Sequence, residues 1–220
     1  MTEPHASTST TLMQAGLPLR IVDARRLDRG LRDALQPGGT LSDRHGRAHQ
    51  LPRYFYEVPS WEVASQLQLS RNFTLSEFIQ NDLHEAAALR GFPRYVPCAV
   101  TLMALALQHF RDAVNDTVHI AANGGYRSPA HALSTLATPH SWATAVNIFK
   151  IGDRLLDDRD NLERYAEVAI QSMPGVYVRP FGRTLGFTDD HLHLDFGFVV
   201  MVPRGAPLDS YNPKIAVEPL

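Results

Sequence analysis

The stretch Asp189-Asp190-His191-Leu192-His193-Leu194-Asp195-Phe196 constrains the fold more than any other part of the chain. Its side chains alternate in character, so a strand here places His191, His193 and Asp195 on one face and the leucines and Phe196 on the other. The apolar face must pack on a core, and imidazoles or carboxylates that become buried need partners. A divalent metal ion is one such partner, and a solvated edge face is the alternative reading.

Composition limits the classes of protein to which this chain can belong. The 220 residues are 44% hydrophobic and 20% charged, which is typical of a globular protein with one domain and an extension. Lys and Arg number 21 against 23 Asp and Glu, giving a formal net charge of -2. This balance lacks the basic footprint of a nucleic-acid or anionic-membrane binder, so we expect neither partner.

The cysteine content narrows the choice of metal ligands. Cys98 is the only cysteine, so the chain has no intramolecular disulfide and no thiolate zinc cluster. A metal site must therefore use His, Asp, Glu or Asn. The apolar neighbours of Cys98 predict a buried, unreactive thiol.

The first 80 residues predict a polar start, an irregular middle stretch and then a helix. Residues 1–11 are polar and predict a disordered start, and the lack of a basic, apolar leader predicts a cytoplasmic protein. Residues 40–70 read as irregular, with packing anchors at Tyr54, Phe55, Tyr56 and Trp61. Thr74 to Glu77 has the spacing of a capping box and predicts the start of a helix.

Later segments alternate between helical and strand patterns. Helices are predicted over 99–114 and 161–173, and strands over 118–122, 144–149 and 191–202. The first of these helices carries an apolar stripe predicted to face the core, formed by Leu102, Leu105, Ala106, His109, Phe110 and Ala113. Helices that precede most of the strands favour an α+β fold with a small antiparallel sheet and flanking helices.

A second polar patch comprises Gly124-Gly125-Tyr126-Arg127-Ser128-Pro129-Ala130-His131 and the stretch from Thr138 to Asn147. Together with the histidine strand, it resembles the zinc D-alanyl-D-alanine carboxypeptidases and dipeptidases, whose fold is shared with the Hedgehog signalling domain. Residues 72–78 look like the opening of the stand-alone peptidase subgroup. The resemblance covers roughly residues 72–200, and it implies an N-terminal extension over 1–70 and a peptidase-like metal domain over 71–220.

The resemblance also implies a metal site and its ligands. His140 and His193 match two histidine ligands of a Zn²⁺ ion or another divalent transition metal, and Asn147 stands where the family has an aspartate ligand. Thr138 and Ala143 also depart from the Ser and Gly of the family motif. An amide oxygen is a weaker donor than a carboxylate, so metal affinity should fall and the net charge of the site should rise from about +1 to about +2. Asp195 or Asp190 is a candidate to supply the missing charge.

The remaining matches are to catalytic and substrate-binding groups. Arg127 matches an arginine that binds substrate or stabilises an oxyanion, and Tyr126 and Ser128 flank it in the same motif. His191 matches a histidine close to the reacting carbonyl. Asp190 lies near the position of a glutamate general base and is assigned that role.

These residues predict a zinc-dependent peptidase or amidase that acts on a D-alanyl-D-alanine-like peptide or a cell-wall (peptidoglycan) fragment. The alternative is a non-hydrolytic member of the fold that binds a ligand or carries out different metal chemistry, and Asn147 is the reason to keep it. A structural protein is a third interpretation, in which His131 caps a turn or packs beside Pro129, and Trp142 and Phe149 belong to the core.

Overall fold

The computed structural model describes residues 17–182, 189–204 and 206–207, and the polar start of the chain lies outside these ranges. The strands are β1 Arg20–Asp23, β2 Thr40–Ser42, β3 Ala48–Gln50, β4 Tyr54–Val58, β5 Gln68–Ser70, β6 Phe73–Thr74, β7 Arg94–Pro97, β8 Val118–Ile120, β9 Ala145–Ile151, β10 Arg154–Leu155, β11 Tyr177–Val178 and β12 Leu192–Asp195. The helices are α1 Arg29–Leu35, α2 Trp61–Gln66, α3 Leu75–Phe78, α4 Ala87–Arg90, α5 Val100–Val114 and α6 Arg159–Ser172, with 3₁₀ turns at Ala24–Arg26 and Pro139–Trp142.

The fold is α+β, as the sequence predicts. The larger sheet is antiparallel and has the order β10-β9-β12-β11, with β8 also paired to β9. A second antiparallel sheet has the order β1-β4-β7, and β2 with β3 and β5 with β6 form two further pairs. Because β9 pairs with three strands, its residues lie at the centre of the larger sheet.

The predicted face of the long helix is wrong except at Phe110, which is buried as predicted. Leu102 and Leu105 of α5 are 45% and 53% exposed, whereas Met103 and Leu107, which lie outside the predicted stripe, are buried. The sequence of α5 carries apolar residues on two adjacent faces, and periodicity alone could not tell which of them meets the core. The apolar set at positions 103, 107 and 110 also has helical spacing, and it is this set that packs inward.

The prediction that residues 40–70 are irregular is also wrong. They contain β2 to β5 and α2, and β4 pairs with β7 so that the smaller sheet crosses residue 70. Tyr54, Phe55 and Tyr56 are buried, as predicted, but Trp61 is 41% exposed. The strands in this region are three to five residues long, too short to give a clear alternating pattern.

Several local predictions are confirmed. Thr74 and Glu77 form a capping box at the start of α3, and the strand and helix predictions at 118–122, 144–149 and 161–173 coincide with β8, β9 and α6 within a few residues. The last strand ends at Asp195, well short of 202. Within the described part of the chain, no helix is both long and apolar enough to span a membrane.

Candidate functional site

The pairing of β9 with β12 brings two of the proposed metal ligands face to face. His193 lies directly opposite Asn147 in the antiparallel register. Leu192 and Leu194 are 1% and 0% exposed, which confirms that the apolar face of the histidine strand packs on the core. The polar face therefore lies on the opposite side of the sheet, where His193 and Asn147 meet.

Both ring nitrogens of His193 have polar neighbours. Nε2 lies 3.0 Å from Oδ2 of Asp195, and Nδ1 lies 2.8 Å from Oδ1 of Asn147. The Asp195 carboxylate can only accept, so it holds the proton on Nε2 and leaves a lone pair on Nδ1. That lone pair either accepts an N–H from the Asn147 amide or, with the amide oxygen, faces a shared cation.

His140 approaches the same place from the 3₁₀ turn Pro139–Trp142, which ends at Ala143 in the left-handed conformation. Its Nδ1 lies 2.8 Å from the carbonyl oxygen of Gly125, so Nδ1 donates and Nε2 carries the lone pair. Nε2 is buried and has no hydrogen-bond partner among the described residues. The rings of His140 and His193 have their centroids 5.2 Å apart.

Two glycines make this approach possible. A Cβ on Gly125 would lie 2.3 Å from the backbone oxygen of Phe78, and a Cβ on Gly124 would lie 2.6 Å from that of Ala121. The turn is also tied to β9, because the Asn147 N–H donates to the carbonyl of Gly124. The Asn123-Gly124-Gly125 stretch therefore carries the carbonyl that orients His140.

The donor set fits a divalent cation. Two imidazoles present lone pairs, and each has its other nitrogen held by an oxygen acceptor, which is the usual outer arrangement around histidine ligands of metals. In the described residues, no group of three or more His, Cys, Asp or Glu side chains suited to a metal is found. A metal site here would use His140, His193 and the neutral amide of Asn147 as its protein ligands. Asp195 lies behind His193 and adds its charge only through that ring.

Burial keeps the histidines neutral. Desolvation lowers the pKa of His140 well below its usual value, and the charges of Arg127 and a protonated His193 would lower it further. Desolvation also lowers the pKa of His193, although its hydrogen bond to Asp195 opposes this shift. Neutral rings at pH 7 are the form in which imidazole binds a metal.

Arg127 brings an unbalanced positive charge to the site. Its Nε is buried without a hydrogen-bond partner in the described part of the chain, and its backbone N–H donates to the carbonyl of His140. Burial lowers the pKa of Arg127 to about 10, and the positive charge of Arg179 contributes to that shift. The carboxylates of Asp189 and Asp190 oppose the charge of Arg179, so the attraction of this site for an anionic group comes mainly from the Arg127 guanidinium.

His191 and Asp190 form a pair beside this cation. Nδ1 of His191 lies 2.6 Å from Oδ1 of Asp190, whose side chain is 63% exposed. Nε2 of His191 lies 3.0 Å from Nη2 of Arg179. Burial lowers the pKa of His191, while the hydrogen bond that its Nδ1 donates to Asp190 opposes that change. Asp190 is thus the solvent-facing carboxylate of the cluster.

Tyr126 and Ser128 do not reach the surface. Tyr126 is 5% exposed, and its buried hydroxyl has no partner among the described residues. Ser128 is fully buried, and its hydroxyl donates to Glu85 at 2.6 Å while its N–H donates to the same carboxylate at 3.1 Å. Both residues therefore support the turn that carries Arg127.

Glu85 is a residue that the sequence reading missed. It is 4% exposed and also accepts hydrogen bonds from the Asn81 side chain and the Ala86 N–H. Nothing in the sequence around Glu85 indicates a long-range contact with Ser128, 43 residues later. Arg179 was missed for the same reason, because its neighbours His193 and Arg127 are distant from it in the sequence.

The plain structural roles predicted for other residues are mostly confirmed. His131 accepts the N–H of Leu133 on Nδ1 and so caps a turn, and Trp142 is fully buried. Cys98 is buried, and desolvation raises the pKa of its thiol to about 12. Phe149 is 38% exposed, so its assignment to the core is wrong. Successive side chains of a strand point to opposite faces, and Phe149 lies on the outward-facing side of β9.

Comparison with known proteins does not assign this chain. No family model matches it, and neither the curated proteins nor the solved structures give a significant match.

Proposed function

We propose that this protein is a metal-dependent peptidase or amidase of the Hedgehog/DD-peptidase type that acts on a peptide with a D-alanyl-D-alanine-like end or on a cell-wall fragment. The observation that carries the proposal is the buried Nε2 of His140, which has no partner among the described residues and lies on a ring that faces His193. A lone pair buried in this way is costly unless it binds something. A Zn²⁺ ion, or another divalent transition metal, is the partner that suits two neutral imidazoles.

His140, His193 and Asn147 are the residues that would hold the metal. Once bound there, a divalent ion supplies Lewis acidity, which polarises a carbonyl and acidifies a water molecule. Asp195 keeps the proton on Nε2 of His193, so the lone pair on Nδ1 is the one that would bind the metal. The carbonyl of Gly125 does the same for His140.

Arg127 and Asp190 perform the remaining steps in this proposal. The Arg127 guanidinium donates to the substrate oxygen that gains negative charge as water attacks the carbonyl carbon. Asp190 accepts the proton that the attacking water loses and returns it to the amine that leaves when the C–N bond breaks. His191 links Asp190 to Arg179 and fixes the position of the carboxylate.

A second candidate function is a non-hydrolytic member that binds a ligand at the same residues. The amide of Asn147 favours it, because a neutral oxygen replaces an anionic ligand and weakens metal binding. The Arg127 guanidinium would then serve to bind a carboxylate or phosphate group rather than a transition state.

The first experiment measures zinc bound per chain in protein dialysed against Zn²⁺, for the wild type and for His140→Ala. We expect near one ion per wild-type chain and none in the variant. His109→Ala is the matched control, because His109 lies on the exposed side of α5. Zinc binding that survives His140→Ala, or no binding by the wild type in excess zinc, would contradict the proposed site.

The second experiment separates hydrolysis from binding. The dipeptide D-alanyl-D-alanine is incubated with zinc-loaded wild type and with Asn147→Asp, and the release of free D-alanine is measured. We expect activity in the wild type and a higher metal affinity in the variant, because a carboxylate is a stronger ligand than a neutral amide. Activity confined to Asn147→Asp would instead favour the non-hydrolytic function for the native chain.

A further inference from the structure

A cleft of about 250 Å³ lies between α6 and the segment that follows β11. Most of its lining is apolar, with Leu162, Ala166 and Ile170 on one side and Val178, Pro180 and Phe181 on the other. Four polar residues complete the lining: Glu163, Arg179, Asp189 and His191. Ile170 is 59% exposed even though it lines the cleft. An apolar wall that stays in contact with water favours an apolar occupant, because burying it against another apolar group removes that contact.

The walls are held in place by described residues. The guanidinium of Arg159, at the start of α6, lies over the ring of Phe181 at 5.2 Å. The N–H of Gly182 donates to the carboxylate of Asp189 at 3.2 Å, and this hydrogen bond links Gly182 to Asp189 at the edge of the cleft. The N–H of Arg179 donates to the carbonyl of His193. The cleft is therefore a formed feature of the fold.

The cleft adjoins the candidate site through shared residues. His191 and Arg179 line it, and their side chains contact each other at 3.0 Å. His191 lies two residues before His193, a separation of roughly 7 Å along an extended chain. A molecule whose reacting bond lies at His193 can therefore place its next substituent in the cleft.

The size of the cleft indicates how large that substituent is. One water molecule occupies about 30 Å³ in the liquid, so 250 Å³ corresponds to the space of several waters and far exceeds a methyl group. We propose that this cleft is a substrate subsite that accepts a branched aliphatic or aromatic side chain next to the bond that is cleaved or bound. The proposal rests on the proposed function for the position of the reacting bond, and it predicts a preference for leucine or phenylalanine over alanine.

The test compares substrates and binding in parallel. With zinc-loaded protein, kcat/KM is measured for D-alanyl-D-alanine, D-leucyl-D-alanine and D-alanyl-D-leucine. With metal-free protein, calorimetry measures the binding of N-acetylalanine and N-acetylleucine in both D and L forms. We expect at least one leucine compound to exceed its alanine counterpart by about tenfold or more in each assay, as a hydrophobic subsite provides.

Variants on α6 assign the preference to the cleft. Ala166→Trp fills it, and Ile170→Asp places a charge on a wall position that is already exposed and so tolerates the change. Both variants should lower kcat/KM and the binding affinity for the leucine compounds to the values measured for the alanine compounds. Glu167→Trp, on the exposed side of the same helix, should keep the preference.

The two proposals fail in distinguishable ways. Leucine selectivity in binding without any hydrolysis supports the cleft and contradicts the peptidase. Hydrolysis with no selectivity for leucine in either assay overturns the cleft proposal, as does selectivity that survives both Ala166→Trp and Ile170→Asp.

Discussion

The chain buries charge in two regions and treats it in opposite ways. Asp23, at the end of β1, is 3% exposed and accepts hydrogen bonds from Arg25 and Arg53 at 2.7 to 3.2 Å. Burial raises the pKa of Asp23, but those hydrogen bonds outweigh it and hold the pKa well below its usual range. Arg127, beside the candidate site, has a buried Nε with no partner in the described residues.

The difference separates the structural use of charge at Asp23 from the binding use that we propose for Arg127. At Asp23 the donors from two arginines replace the lost hydration, so the carboxylate is stable where it lies. Arg127 meets another cation, Arg179, and its pKa falls rather than rises. If Arg127 binds an anionic ligand as we propose, the fold keeps this group available at a cost in stability. Three substitutions can break or sharpen this contrast.

The largest effect is expected from Asp23→Ala. Removing the carboxylate leaves Arg53, whose side chain is 22% exposed, without its main acceptor. Taking one partner from a buried ion pair costs about 3 kcal/mol or more of the free energy of unfolding. Urea denaturation of the full chain measures this loss. Asp33→Ala, whose carboxylate is 71% exposed, is the control and should be nearly neutral.

Arg127→Met should have a smaller effect of the opposite sign. It removes a half-buried cation that has no ion pair among the described residues and keeps an apolar chain of similar length, so the free energy of unfolding should stay the same or rise by about 1 kcal/mol. Arg53→Met is the matched arginine variant and should be destabilising. If both variants destabilise equally, then Arg127 is a structural residue, and the contrast between the two regions fails. Binding of N-acetyl-D-alanine should be lost in Arg127→Met alone.

At neutral pH, the smallest effect on the free energy of unfolding concerns the turn that precedes the site. Burial lowers the pKa of His131, the carboxylate of Glu85 opposes the shift, and Arg127 adds to it. Below about pH 6.5 the unfolded chain then binds a proton that the folded chain rejects, so stability falls as the pH falls, by up to about 1.4 kcal/mol per pH unit.

Unfolding free energies measured from pH 7.5 to 5.5 should therefore decline less steeply in His131→Gln than in the wild type. His109→Gln, at an exposed position of α5, should follow the wild-type slope. An unchanged slope in His131→Gln would mean that the proton uptake lies elsewhere.

The sequence predicted well those features that depend on near neighbours. The alternation of His191 to Phe196 gave the buried face of β12, and the Thr74 to Glu77 spacing gave the start of α3. These patterns report on contacts within one turn or one pleat, which are local in the chain. The candidate ligands His140, Asn147 and His193 came from a resemblance rather than from spacing, and their approach depends on the β9 to β12 register.

What the sequence could not give are contacts between distant segments. The choice between two apolar faces of α5 depends on what packs against it, and the pairing of β4 with β7 joins residues about 40 positions apart. Glu85 and Arg179 look like ordinary surface charges in the sequence. Their roles follow only from the residues that the fold brings to them, Ser128 and His191.

The pairing of β4 with β7 has a practical consequence for anyone who shortens this protein. A fragment that starts at residue 71 keeps the candidate site but loses the strand that covers one edge of β7. Val96 and Tyr95, buried in the whole chain, would then lie on an open edge with free N–H and C=O groups. Open edges of this kind recruit other strands, so the shortened chain should self-associate. By pairing with β7, the β4 strand therefore keeps this edge from joining strands of other chains.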